Sequence, residues 1–101
     1  MDKRLELHEI LINLLGNNNV YYQSPEDMKI NYPCIRYSKD DINSIYADNK
    51  KYLNKKLYIL IIIDRLPDNP VIDKILELPL TSYERHYTSD NLNHDVINIY
   101  Y

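Results

Sequence analysis

An α+β fold follows from this sequence: a small, mainly antiparallel sheet of about four strands with two helices packed on one face, in a single domain of residues 1–101. Three observations predict it. A helix-periodic segment opens the chain, an uninterrupted apolar run lies past its middle, and two alternating segments close it. At 101 residues the chain has material for one core and no more.

The apolar run, Leu57-Tyr58-Ile59-Leu60-Ile61-Ile62-Ile63, is seven residues long, mostly β-branched, and lies between Lys55-Lys56 and Asp64-Arg65. It reads as a strand covered on both faces and is too short to cross a bilayer. Upstream, Leu7, Ile10, Leu11 and Leu14 recur at the i, i+3, i+4, i+7 spacing of a helix from Asp2 to Leu15, and Leu5, Ile12 and Leu15 widen its apolar stripe. Asp2 is placed to cap that helix. Gly16, the only glycine, suits the left-handed residue that ends it.

Val20-Tyr21-Tyr22 fits a short strand, followed by turn-forming Ser24-Pro25-Glu26-Asp27. From Cys34 to Asp40 the chain alternates, with Ile35 and Tyr37 on one face and Cys34, Arg36 and Ser38 on the other; Pro33 is tolerated at its start. Paired antiparallel with the apolar run, this segment makes a two-stranded centre for the sheet. Between residues 41 and 54 periodicity fades, and a stretch of that length without structure is generally functional or mobile. Asp68-Asn69-Pro70 then announces a second helix, an Asx cap followed by Pro at the first helical position, with Ile72, Ile75 and Leu76 on one face and Pro79 as its stop. Thr81 to Thr88 alternates, Tyr83, Arg85 and Tyr87 against Ser82, Glu84, His86 and Thr88. Ser89-Asp90-Asn91 turns the chain into a hairpin with Val96 to Tyr101.

Composition narrows the function. A net charge of −3 lacks the basic footprint of a protein that grips phosphates. Eleven tyrosines without Phe or Trp suit protein interfaces better than base stacking in so acidic a chain. Cys34, the single cysteine, excludes an intrachain disulfide, fits a reducing compartment and reads as a small buried hydrophobe rather than a nucleophile. No secretory signal is visible, which points to the cytoplasm. One glycine is too few for a P-loop or a dinucleotide fingerprint. His94 and Asp95, with Asp90 and His86 close in sequence, can be drawn as a zinc or iron cluster, but no ligand spacing supports it, and Asp90, Asn91, Asn93 and Asp95 read as turn formers. No catalytic, cofactor or metal residue is assigned; a metal-dependent hydrolase using His86, His94 and Asp95 is a remote alternative. Lys50-Lys51 and Lys55-Lys56 form the one basic cluster, a solvated loop and strand edge in the plainest reading.

Four stretches together resemble a known group: Asn31-Tyr32-Pro33-Cys34-Ile35-Arg36-Tyr37, Tyr46-Ala47-Asp48-Asn49-Lys50-Lys51-Tyr52, Tyr83-Glu84-Arg85-His86-Tyr87, and Asp90-Asn91-Leu92-Asn93-His94-Asp95. Their order and spacing are similar to those of the small neck and tail proteins of long-tailed bacteriophages, in particular the tail terminator or tail completion group. The likeness runs from the first helix to Tyr100-Tyr101. It implies a structural virion protein with no enzymatic activity and no cofactor: a homohexameric ring that caps the tail tube, stops its polymerisation and offers a surface to the head connector. A head-closure or head-tail adaptor role in the phage neck is the alternative. The implied partners are copies of itself, the major tail tube protein and neck or head-connector proteins, with DNA passing through the lumen without specific binding and no membrane. The implied location is the virion tail or neck, and the host cytoplasm during assembly. Subunit or partner contacts are expected in the loop at Tyr46, Asp48, Asn49, Lys50, Lys51 and Tyr52, and around the turn at Asp90, Asn91 and His94.

Overall fold

The structure, a computed structural model, describes residues 3–23, 30–40 and 55–101. Its elements in chain order are α1 (Lys3–Leu15), β1 (Val20–Tyr22), β2 (Cys34–Lys39), β3 (Leu57–Asp64), α2 (Val71–Leu76), β4 (Thr81–Ser89) and β5 (Leu92–Tyr100). The fold is α+β as expected, but the sheet has five strands rather than four, in the order β1-β2-β3-β5-β4. The extra strand is β1, which pairs parallel to β2 through Val20↔Ile35 and Tyr22↔Tyr37. The other three pairings are antiparallel.

β3 is the centre of the sheet, flanked by β2 and by β5, rather than half of a two-stranded core. Its alternation decides the layering. Tyr58, Leu60 and Ile62 lie in the core with Leu7 and Leu11 of α1 and with Val71 and Ile75 of α2, beside Ile35, Tyr37, Ile97 and Ile99 from the neighbouring strands. Both helices therefore pack on one face of the sheet. On the opposite face Ile59 and Ile61 are only half-buried, so the strand is not covered equally on both sides. A run that reads as uniformly apolar thus has one dry side and one partly wet side, a difference that composition alone does not carry.

α1 buries Leu7 and Leu11, while Leu5 is 45% exposed and contributes nothing to the stripe. The proposed cap Asp2 lies outside the described residues. At the other end Gly16 adopts φ 86, and its N–H reaches the Ile12 carbonyl at 2.9 Å, the left-handed closure the sequence suggests. α1 is also clasped to the sheet by polar contacts. The buried Tyr37 hydroxyl meets His8 Nδ1 at 2.7 Å and accepts from Arg4 Nη1 at 3.2 Å, while the Arg4 guanidinium lies 4.4 Å from the Tyr22 ring centroid.

α2 begins as the Asp68-Asn69-Pro70 signature says. Pro70 is already helical in φ and ψ, and Asn69 Oδ1 accepts the Val71 N–H at 2.9 Å. The helix stops at Leu76, short of Pro79. Thr81 Oγ1 donates towards the Leu78 and Leu76 carbonyls at 3.0 and 3.3 Å, satisfying groups the helix end leaves open.

Replacing Leu60 by Ala removes a wholly buried side chain beneath both helices and is expected to cost about 3 kcal/mol in urea denaturation. Gly16→Ala meets no atom within 4 Å, so its expected cost of about 1 kcal/mol is backbone strain alone. Burial, and then the Arg4 charge, hold His8 below its ordinary pKa of 6.5. The stability from this neutral imidazole is complete above pH 6.5 and falls as pH drops, because the unfolded chain takes up the proton first. His8→Gln is expected to flatten that acid-side slope in the same denaturation measured across pH.

Candidate functional site

β4 and the turn that follows it collect the surface chemistry among the described residues. Asp90 and Asn91 form a two-residue turn with φ 53 and 63, the pair of positive values that a twisted hairpin needs and that Asp and Asn tolerate. The strand before it contains no aliphatic residue, and every position from Ser82 to Ser89 is exposed. β4 pairs with β5 on one side and is the sheet's edge on the other.

A β-bulge between Tyr83 and Arg85 overturns the expected faces of β4. Tyr83 pairs with Ile97 and stands on the helix side, whereas Arg85 and Tyr87 pair with Val96 and His94 and stand on the other. The three residues read as one stripe are therefore divided. Nothing in the amino-acid pattern marks Glu84 as the inserted residue, since the alternation of polar and aromatic side chains continues through it.

On the helix side, Tyr83 donates its hydroxyl to Asp95 Oδ1 at 2.6 Å. Asp95 is the one buried charged side chain among the described residues, 7% exposed between Ile62 on β3 and His86 on β4. The hydrogen bond to that carboxylate, with burial and its charge adding, pushes the Tyr83 hydroxyl up to about 12. The pair forms one wall of a cleft of about 390 Å³ whose other walls include Asp68, Asn69, Ile72 and Asp73. The loop beneath is tied down: Asp64 accepts from the Leu66 N–H at 3.2 Å and from Asn69 Nδ2 at 2.7 Å, and Asn93 Nδ2 donates to the Arg65 carbonyl at 3.2 Å.

On the opposite side, the Tyr87 ring stacks on His94 with centroids 4.6 Å apart, and the Arg85 guanidinium lies 5.5 Å from the Tyr87 centroid. His94 Nδ1 is 3.1 Å from the Leu92 carbonyl. Of the contact residues expected from sequence, Asp90, Asn91 and His94 thus gather at one end of the β4–β5 hairpin. Tyr46, Asp48, Asn49, Lys50, Lys51 and Tyr52 lie outside the described residues.

The arrangement separates the groups of the hydrolase alternative. His86 pairs with Asp95 while His94, one residue away, faces the other side, and His86 Nε2 instead sits 3.2 Å from Asn93 Oδ1. No group of three His, Cys, Asp or Glu among the described residues can hold a metal ion. Cys34 is fully buried, and burial pushes its thiol up to about 11. Its row reaches His94 only through Ile63, two strand spacings or roughly 10 Å away.

The chain matches no known protein family, curated protein or solved structure. Among the described residues no helix is long and apolar enough to cross a membrane.

Tyr83→Phe leaves the Asp95 carboxylate without its hydroxyl donor, and an expected loss of about 1–2 kcal/mol is readable by chemical denaturation at neutral pH. Because the Tyr83 pKa is raised on folding, its contribution is complete below pH 10 and is lost as pH climbs towards about 12. The variant is expected to lack that part of the alkaline decline.

Proposed function

We propose that this chain is a structural virion protein of a long-tailed bacteriophage, a tail terminator or completion protein. It works by assembling into a ring on the tail tube and presenting a surface to the head connector. The observation that carries this reading is β4, a nine-residue strand exposed on both faces at the edge of a well-buried sheet. Isolated domains blunt long edges by shortening, covering or charging them. Here the strand is long and, alongside the charged Glu84 and Arg85 and its one bulge, carries two exposed tyrosines, Tyr83 and Tyr87, the residue type that interfaces favour.

A ring closes through a heterologous interface, in which one patch meets a different patch on the next copy. The two faces of β4 differ enough to serve: the helix side holds Tyr83 beside the carboxylates of Asp68, Asp73 and Asp95, and the other side holds Arg85, Tyr87 and His94. An acidic chain also suits a lumen through which DNA slides, since phosphate contacts would retard it. The partners on this reading are further copies of the chain, the major tail tube protein and a neck or connector protein.

Mixing purified protein with assembled tail tubes and viewing them by negative-stain electron microscopy tests the reading. Ring-shaped caps at tube ends and an arrest of further elongation are expected. Tubes that stay bare and keep growing at saturating protein would overturn it, and rings that bind only the portal or connector would move the role to head closure.

A further inference from the structure

The β4 edge offers more than exposed side chains. A two-residue turn closes on a hydrogen-bonded pair, here Ser89 with Leu92. Alternation back from that pair aims the N–H and C=O of Tyr87 at β5 and those of His86 and Thr88 outward, away from the sheet. No described strand lies on that side. Beyond the bulge, the segment Arg85-His86-Tyr87-Thr88-Ser89-Asp90 begins with a cation and ends with an anion.

A segment charged in that way complements itself when two copies run antiparallel. We infer that β4 pairs with β4 of a second copy of this chain about a twofold axis through Tyr87, joining the two sheets edge to edge. In that register His86 and Thr88 of each copy exchange backbone hydrogen bonds with Thr88 and His86 of the other. Arg85 lies opposite Ser89 of the other copy, next to its own Glu84 and to Asp90 across the junction, so one cation is set between two carboxylates, and the symmetry makes this contact twice. Tyr87 meets Tyr87 in the non-hydrogen-bonded position, where side chains approach most closely. Each ring is already stacked on its own His94, so the aromatic ladder becomes continuous across the junction. The bulge at Glu84 ends the pairing on one side and the Asp90-Asn91 turn ends it on the other, which limits growth to a dimer. An isologous pair closes on itself. The inference goes beyond the ring reading on the same strand, using the backbone edge of β4 where that reading uses its faces, and the helix-side face of β4 stays open in the dimer.

Sedimentation velocity over a range of concentrations tests it, together with three variants. The unaltered chain is expected to run as a dimer that dissociates on dilution. Thr88→Pro removes an N–H that faces away from β5 and pairs with no strand among the described residues, and should weaken dimerisation at least about tenfold, and Arg85→Glu should weaken it by a similar factor by setting like charges at both ends. Tyr87→Cys, in a chain folded like the parent by circular dichroism, should form a disulfide-linked dimer in oxidised glutathione, because non-hydrogen-bonded antiparallel neighbours sit within disulfide reach. Ser82→Cys, exposed but outside the paired segment, should not. A monomer at every concentration, a dimer indifferent to Thr88→Pro and Arg85→Glu, or equal cross-linking at Ser82 and Tyr87 would overturn the pairing. Failure of these tests leaves the tube-capping experiment unaffected, and failure of tube capping leaves these unaffected.

Discussion

The register of β3 between β2 and β5 is the constraint on which the rest of the structure depends. Leu60 sits opposite Tyr37 on one side and Ile97 on the other, and Ile62 sits opposite Ile35 and Asp95. A slip of one residue would turn Tyr58, Leu60 and Ile62 away from the helices and bring Ile59 and Ile61 beneath them. Because those odd-numbered positions are also apolar, the side chains of β3 alone do not choose between the two. The choice is made by the flanking strands, where Arg36 and Ser38 on β2 and Asn98 on β5 mark the wetter face.

That layering explains why the chemistry collects at one end. α1 and α2 pack on the helix face over the buried side chains of β2, β3 and β5, and β4 touches α2 only along its helix side while every position from Ser82 to Ser89 stays exposed. The bulge at Glu84 then divides its aromatic side chains. Tyr83 joins a buried carboxylate under the start of α2, and Tyr87 joins His94 on the opposite face. One strand thereby presents two surfaces of different charge and, among the described residues, an edge that no other strand pairs.

Much of this was legible in the residues. Periodicity placed α1 and the core side chains of β2, the Asn69-Pro70 pair placed the start of α2, Gly16 marked the end of α1, and Asp90-Asn91 marked the turn. What escaped has physical causes. The three residues of β1 read as a short strand, but its parallel pairing with β2, which makes it the fifth strand of the sheet, carries no local pattern. Leu5 lies on the wet side of α1 because a helix on a small sheet buries a narrow stripe, and one leucine outside it costs little. The bulge left no trace because polar residues surround it on both faces. The Tyr83–Asp95 bond joins residues twelve apart across that bulge, which no local spacing indicates. The absence of any aliphatic residue in β4 was the one available sign that the strand is wet on both faces.

Residue-resolved amide hydrogen exchange, measured at a dilution where the chain is monomeric, tests the account most directly. It predicts the slowest exchange at Leu60 and Ile62, protection at Tyr87 and Ser89, and rapid exchange at His86 and Thr88, whose amides face outward from the sheet. Strong and uniform protection along all of β4 in the monomer would contradict it, because another part of the chain would then have to cover the edge that the account leaves open.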